Sequence, residues 1–234
     1  GDIDLSNWNV SSVTNMTRMF QQCGFTNINL SNWNTSSCIS FSSMFKWSSN
    51  LKTIKGTGDW DVQNVTSMSH MFFYCTKLHD LMTTSSDSFD WKNWNTRSLQ
   101  NMDQMFSNCT NLYFNSKAQM DNWDVSNVTK MNYLFQNTPS LESAGDLSKW
   151  CVENLTTPAN WVSNSGFANK GTSHPKWGQP CPTPTPTPES YPDRIYVEVT
   201  GGFLNNAEGY YSLKPKQSIP HITGSDGETE FEYY

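Results

Sequence analysis

Apolar residues recur along the chain in a fixed order that starts from a tryptophan. Counting each tryptophan as position 0, apolar side chains fall at positions 5, 8, 11 and 12, and a small residue falls at position 15. In the first copy these are Val13, Met16, Met19, Phe20 and the small Cys23. Steps of three and four residues are typical of one helical face. The pattern therefore predicts a short helix of about three turns in each copy, which its neighbours must hold in place.

The pattern recurs in five full copies, numbered 1 to 5 below. They begin at Trp8, Trp33, Trp60, Trp94 and Trp123, and each has a phenylalanine at position 12. Their sequences are WNVSSVTNMTRMF, WNTSSCISFSSMF, WDVQNVTSMSHMF, WNTRSLQNMDQMF and WDVSNVTKMNYLF. Length varies only after the phenylalanine, so insertions are confined to one edge of the repeat. Such repetition predicts stacked units with one continuous core.

The segments between the predicted helices have a different spacing. Phe25-x-x-Ile28-x-Leu30-x-x-Trp33 is similar to the strand arm of a leucine-rich repeat. We therefore predict an α/β repeat solenoid, leucine-rich-repeat-like, with one short strand and one short helix per repeat. Two of these segments carry insertions, at 55–59 and about 82–93.

A decayed copy at Trp150, copy 6, predicts a terminal cap. Pro158 stands at position 8 and Trp161 at position 11, where other copies have methionine, phenylalanine or leucine. An atypical terminal repeat is expected because nothing stacks beyond it. Cys151 and Cys181 flank this cap, and we expect them to form a disulfide; the alternative is two free thiols.

A Thr-Pro stretch after the cap predicts a boundary between folding units, because such a sequence forms a semi-rigid extended spacer. We assign residues 1–182 to the repeat solenoid, with its cap from about 150, residues 183–190 to the linker and residues 191–234 to a small β module. Strand patterns lie at 194–199 and 210–213, with glycine and asparagine turns between them. This module is short, so we expect it to continue in the full gene product or to complete itself against a partner.

Composition narrows the function classes. Charged residues make up 15% of the chain, against roughly a quarter in an average soluble domain. The net charge of −6 argues against a nucleic-acid partner, and no apolar run is long enough to predict a membrane span. Aromatic residues at 14% argue against disorder. The repeat itself explains this composition, since each copy adds core aromatics and methionines together with asparagine and serine turns.

The W-[ND]-[VT]-x-[SN]-V-T-x-M-x-x-M-F core resembles the repeat of BspA-like surface proteins, a family related to leucine-rich repeats. The closing WCVENLTTPANW…HPKWGQPCP and the TPTPTPTPE linker resemble phage-type members. The resemblance implies a solenoid fold and a role in adhesion or recognition, with an extracellular location on a virion or bacterial cell surface. It transfers no catalytic residue.

Candidate chemistry is sparse, and we predict no catalytic residue, metal site or cofactor. His70 lies in the variable position 10, which we expect to face solvent. Cys75 and Cys109 share position 15, where we favour buried thiols over a disulfide. The Asn or Asp at position 1 could bind calcium as a ladder, although turn chemistry is the favoured interpretation. An enzyme such as a glycan hydrolase would need a close carboxylate pair, which the sequence does not reveal.

Comparison of the copies identifies aromatic residues that the repeat does not require, which are candidates for binding a sugar or protein partner. The alternative is that they cover the edges of the long insertions. The candidates are Trp47, Phe73, Tyr74, Tyr113, Phe114 and Tyr133.

These observations lead to two functional hypotheses. The first is a non-enzymatic recognition or adhesion protein that binds a host cell-surface glycan or protein, with the β module contacting other virion or surface-assembly proteins. The second is a structural or decoration protein of a virion or extracellular assembly, without a ligand of its own.

Overall fold

The computed structural model describes residues 1–79, 91, 94–114 and 119–181, and the backbone of residues 222–223 and 230–231. The chain divides into two compact units, Gly1–Pro182 and Thr183–Tyr234. The boundary falls at the start of the Thr-Pro stretch. The linker at 183–190 and the strands predicted at 194–199 and 210–213 lie outside the described residues.

A three-stranded parallel sheet joins the segments that precede the tryptophans of copies 1 to 3. Its strands are β1 (Asp2–Asp4), β2 (Asn27–Asn29) and β3 (Thr53–Lys55), in that order across the sheet. Ile3, Ile28 and Ile54 are aligned across the strands, and the last two are fully buried. Strand β2 lies within the segment predicted to be a strand. Single turns of 3-10 helix follow at Thr57–Asp59, Leu147–Lys149 and Gly171–Ser173.

The helix predicted for each copy is wrong in the part of the chain that the structure describes, and a run of tight turns takes its place. In copy 1 the backbone N–H groups of positions 11, 13 and 15 bond to the carbonyl three residues earlier, at 3.0–3.3 Å. Arg18 at position 10 and Gln22 at position 14 have φ of 62° and 56°. A right-handed helix needs negative φ throughout, so a left-handed residue every fourth position excludes it. The same two positions have positive φ in the other copies, at Ser43 and Trp47, His70 and Tyr74, Gln104 and Asn108, Tyr133 and Asn137, and Asn160 and Asn164.

The backbone groups that a helix would have paired internally pair instead with the next copy. In copy 3, the N–H groups of Met68 and Phe72 donate to the carbonyl oxygens of Asn101 and Met105 in copy 4, each over 2.9 Å. Bonds at equivalent positions join each of copies 1 to 5 to its successor. The copies therefore stack in parallel register, and the helical-looking apolar spacing belongs to a ladder of turns.

Aromatic rings stack through the centre of the repeats. The position-12 phenylalanines lie 5.4–5.5 Å apart between ring centroids, with interplanar angles of 2–12°. Trp91, which the sequence places in an insertion, is fully buried and lies 4.8 Å from Trp94 between ring centroids. Trp8 is 53% exposed, and no earlier copy stacks on copy 1 among the described residues.

A column of small donors at position 15 runs beside the phenylalanines. Ser48 Oγ donates to the carbonyl of Phe20 at 2.8 Å, and Cys75 Sγ donates to that of Phe45 at 3.0 Å. The prediction of buried thiols is confirmed for Cys75 and Cys109. Burial raises the pKa of Cys75 well above its usual range and that of Cys109 to about 12.

The cap closes the last copy. The predicted disulfide between Cys151 and Cys181 is confirmed, with their Cα atoms 4.5 Å apart. Trp161 is buried, and its ring lies 4.9 Å from that of His174. Pro158 occupies position 8, whose N–H in copies 1 to 4 donates to the following copy. No further copy follows copy 6 among the described residues, so an N–H at this position would have no carbonyl to bond to. Proline avoids that cost because it has no N–H.

In the second unit, two short strands pair antiparallel. They are β4 (Ile222–Thr223) and β5 (Glu230–Phe231). No helix among the described residues has the length and apolar character needed to cross a membrane.

Candidate binding surface

Five side chains of copies 2 and 3 come together on the turn ladder, and we call them the aromatic patch. They are Lys46, Trp47, His70, Phe73 and Tyr74, and they occupy positions 10, 13 and 14 of the repeat. Trp47 is 42% exposed and Tyr74 is 48% exposed, whereas Lys46, His70 and Phe73 are half-buried. Stacking of adjacent copies is what brings residues so far apart in sequence onto one surface.

Phe73 forms the centre of the aromatic patch. Its ring centroid lies 6.4 Å from that of Trp47, 5.6 Å from that of His70 and 6.1 Å from that of Tyr74. The ammonium of Lys46 lies 4.6 Å from the centroid of Trp47 and 5.2 Å from that of Phe73. The cation therefore rests against two rings, in the range of a cation–π interaction.

Trp47 and Tyr74 occupy a backbone conformation that suits neither residue. Both have φ of 63° at position 14, where the other copies place glutamine or asparagine. Left-handed backbone costs a residue with a bulky side chain roughly 1–2 kcal/mol, and asparagine tolerates it better. The strain of the two exposed aromatics is thus offset elsewhere in the fold, an arrangement often found at functional sites.

Asparagine at position 14 shows what the aromatic patch replaces. Asn137 donates from Nδ2 to Oδ1 of Asn108 at 2.9 Å, and Asn164 donates in the same way to Asn137 at 2.9 Å. Copies 4 to 6 therefore join their side chains in an asparagine ladder. Copies 2 and 3 have the exposed rings of Trp47 and Tyr74 at this position and therefore lack the asparagine ladder.

One cation of the aromatic patch, Lys46, has a second cation, Arg18, near it, although the chain is acidic overall. Burial lowers the pKa of Lys46, and the nearby guanidinium of Arg18 lowers it further. Burial also lowers the pKa of His70, as does the charge of Lys46, while Asp103 opposes the shift. Among the residues described, no carboxylate forms an ion pair with Arg18 or Lys46.

The predicted binding residues do not all lie in the aromatic patch. Trp47, Phe73 and Tyr74 do, but Tyr113 and Tyr133 make no ring contact with these three within the described residues. Tyr113 is 56% exposed, and Tyr133 is half-buried at position 10 of copy 5.

Phe114 requires a correction, because it is a core residue and not an exposed one. Its exposed fraction is 4%, and its ring lies 5.3 Å from that of Phe106 and 6.3 Å from that of Trp91. The insertion at about 82–93 contains Trp91, which adds a ring to the core. Phe114 packs against this ring, which a comparison of equal-length copies could not reveal.

Sequence comparison missed the charged members of this surface. Lys46 precedes Trp47 at position 13, where most other copies have serine or glutamine, so the same comparison could have identified it. His70 was expected to face solvent but is half-buried beside Phe73. Arg18 lies one copy away from Lys46, and its proximity depends on the stacking.

Other candidate chemistry resolves into structural roles. The Asn or Asp at position 1 forms turns, as where Asn9 Oδ1 accepts from Ser11 N at 3.1 Å and Asp124 Oδ1 accepts from Ser126 N at 3.0 Å. Cys151, Glu153 and Cys181 bring their sulfur and carboxylate atoms within 4.8 Å of one another. Because both sulfurs are in the disulfide, neither is a thiolate ligand for a metal.

The chain matches one family model twice. The family is described as "Mycoplasma protein of unknown function, DUF285", and the matches cover residues 2–88 and 81–177. Together they include every repeat and most of the cap, so the chain belongs to this family of repeat-bearing sequences. No curated protein and no solved structure matches the chain.

Proposed function

We propose that the chain is a non-enzymatic recognition or adhesion protein that binds a host glycan or protein through the aromatic patch. We further propose a repeat solenoid of the BspA-like kind, displayed outside the cell on a phage virion or bacterial surface. The observation that carries the proposal is the pair Trp47 and Tyr74, two exposed aromatics in adjacent copies at a left-handed position where other copies have glutamine or asparagine.

Physical chemistry supports recognition at this surface. Large exposed aromatics are enriched where proteins bind partners, and residues such as Trp and Tyr contribute most of the binding energy at such sites. The repeat tolerates asparagine at position 14, so stacking alone does not require these rings. The disulfide supports the extracellular proposal, because such bonds persist mainly in oxidising compartments.

The test compares the full chain with its Trp47→Asn, Tyr74→Asn double variant, which restores the residue used by copies 4 to 6. Both proteins are coupled at high density to fluorescent beads and offered to a panel of bacterial and animal cells and to a glycan array. We expect the double variant to lose at least about tenfold in binding, as for the loss of central aromatic contacts.

Tyr113→Asn is the matched control, because it removes an exposed aromatic outside the aromatic patch. It should bind like the unchanged chain, and urea midpoints should show that all three proteins are folded. Equal binding by the double variant, or no retention on any cell or glycan, would contradict the proposal. In that case, an ordered lattice contact seen by microscopy of the source particle would favour the alternative, a decoration protein.

A further inference from the structure

Resting on the proposed function, we propose that the aromatic patch recognises an oligosaccharide that carries an anionic group such as a carboxylate or sulfate. Three features of the surface lead to this class of ligand. They are the pair of exposed rings, the uncharged polar residues beside them and two cations with which no described carboxylate forms an ion pair.

The rings suit the faces of sugars. The exposed rings of Trp47 and Tyr74 both lie beside the ring of Phe73, with centroids 6.4 and 6.1 Å from its centroid. Trp47 and Tyr74 occupy equivalent positions of adjacent copies, so successive sugar units could pack their C–H faces against successive rings. Tyr and Trp are suited to this because they combine an apolar face with a polar edge.

Uncharged polar residues also lie at the repeat positions beside the rings. Position 14 continues as Gln22 on one side of the two aromatics and as Asn108 on the other, while position 10 contributes Ser43 and Gln104. Amides and hydroxyls both donate and accept hydrogen bonds, as sugar hydroxyls require.

The size of the aromatic patch favours a sugar over a protein. A stable protein interface buries about 800 Å² on each partner, with some 20 to 30 residues. The aromatic patch has five residues, of which only Trp47 and Tyr74 have large exposed rings. A short oligosaccharide needs no larger surface.

The cations Arg18 and Lys46 favour an anionic sugar over a neutral one. The backbone N–H of Arg18 bonds to the carbonyl of Ser42, in the same copy as Lys46, at 3.0 Å, and the ammonium of Lys46 lies 4.6 Å from the centroid of Trp47. No described carboxylate forms an ion pair with either cation. Guanidinium and ammonium groups donate strong charge-assisted hydrogen bonds to carboxylates and sulfates. An anionic group on the ligand would relieve the repulsion between these cations.

The probes are three anionic glycans and their neutral counterparts. They are an oligogalacturonate with its carboxyl-reduced form, sialyllactose with lactose, and a sulfated with an unsulfated galactan oligosaccharide. Binding to the full chain is measured by calorimetry at low and high salt. At least one anionic member should bind about tenfold more tightly than its neutral partner, and added salt should reduce the difference.

Charge-removing variants locate the effect. Arg18→Gln with Lys46→Gln should reduce the affinity for the anionic glycan to that for its neutral partner, and Lys52→Gln, an exposed lysine on another part of the repeat, should change nothing. Trp47→Asn should abolish binding of both. Equal affinity for both members of every pair, or no binding by any anionic probe, overturns the inference. The cell-binding comparison above decides the proposed function separately, because it does not depend on the charge of the ligand.

Discussion

Replacing Gln104 by glycine and, separately, by alanine distinguishes the turn ladder from the helix that the apolar spacing predicts. Gln104 is at position 10 of copy 4, in the interior of the stack, and has φ of 55°. In a helix interior, alanine is more stable than glycine by roughly 1 kcal/mol. At a left-handed residue glycine becomes the more stable of the two. The Cβ of alanine lies too close to the following carbonyl oxygen there, and glycine has no Cβ.

The magnitude follows from two opposing contributions. Left-handed backbone costs alanine roughly 1–2 kcal/mol, while glycine loses roughly 0.5–1 kcal/mol more conformational entropy on folding. The Gly variant of Gln104 should therefore be more stable than the Ala variant by about 0.5–1 kcal/mol. The backbone bond from Gln104 N to the carbonyl of Asn132, at 2.8 Å, is kept by both variants.

Gln100 is the matched control, since it is an exposed glutamine of the same copy and is not among the positive-φ residues. There alanine should be the more stable by roughly 0.5–1 kcal/mol. The Gly-minus-Ala difference in stability at Gln104 should exceed that at Gln100 by roughly 1–2 kcal/mol. This excess measures the cost of left-handed backbone to alanine, because the entropy that glycine loses on folding is the same at both sites and cancels. Midpoints of urea unfolding at unchanged slope measure it. If alanine is favoured equally at both sites, the left-handed ladder is wrong.

Three further predictions concern the core, the cap and the aromatic patch. Cys75→Ser keeps a donor to the carbonyl of Phe45, so it should lower the free energy of unfolding by less than about 1 kcal/mol. Cys75→Val removes the donor and should lower it by about 1–3 kcal/mol, as measured by urea unfolding. Equal losses for the two variants would argue against the bond from Cys75 to Phe45. Cys181→Ser opens a link to Cys151 across 30 residues and should cost about 3.5 kcal/mol in thermal unfolding, with reductant having no further effect. His70 resists protonation when folded, because burial lowers its pKa, so stability should fall as the pH drops below about 6.5, and His70→Gln should reduce that slope.

The core positions that every copy shares could be predicted from the sequence. The tryptophans and position-12 phenylalanines repeat at a fixed spacing, and most are buried in the expected register. Cys75 and Cys109 were predicted to be buried thiols because position 15 holds a small residue in each full copy and the copies were expected to lie too far apart for a disulfide. The Cys151–Cys181 disulfide followed from its place around a decayed terminal copy.

The secondary structure of the copies could not be obtained in this way. Apolar steps of three and four arise from a helix but also from successive turns, and periodicity does not distinguish them. The distinguishing residues are at positions 10 and 14, where side chains as different as Arg18, His70 and Trp47 all adopt left-handed backbone. Local preference does not dictate that conformation for such residues, so the hydrogen bonds to the next copy must impose it.

The sequence by itself determined the repeat, its register, the core columns and the disulfide of the cap, because each of these follows from spacing along one chain. Only the tertiary structure decided the backbone path and the composition of the aromatic patch. Stacking brings Lys46 against Phe73, which is 27 positions later, and buries Phe114 against Trp91. Such contacts depend on the small distance between adjacent copies, which is a property of the stacked fold and not of the residues taken one copy at a time.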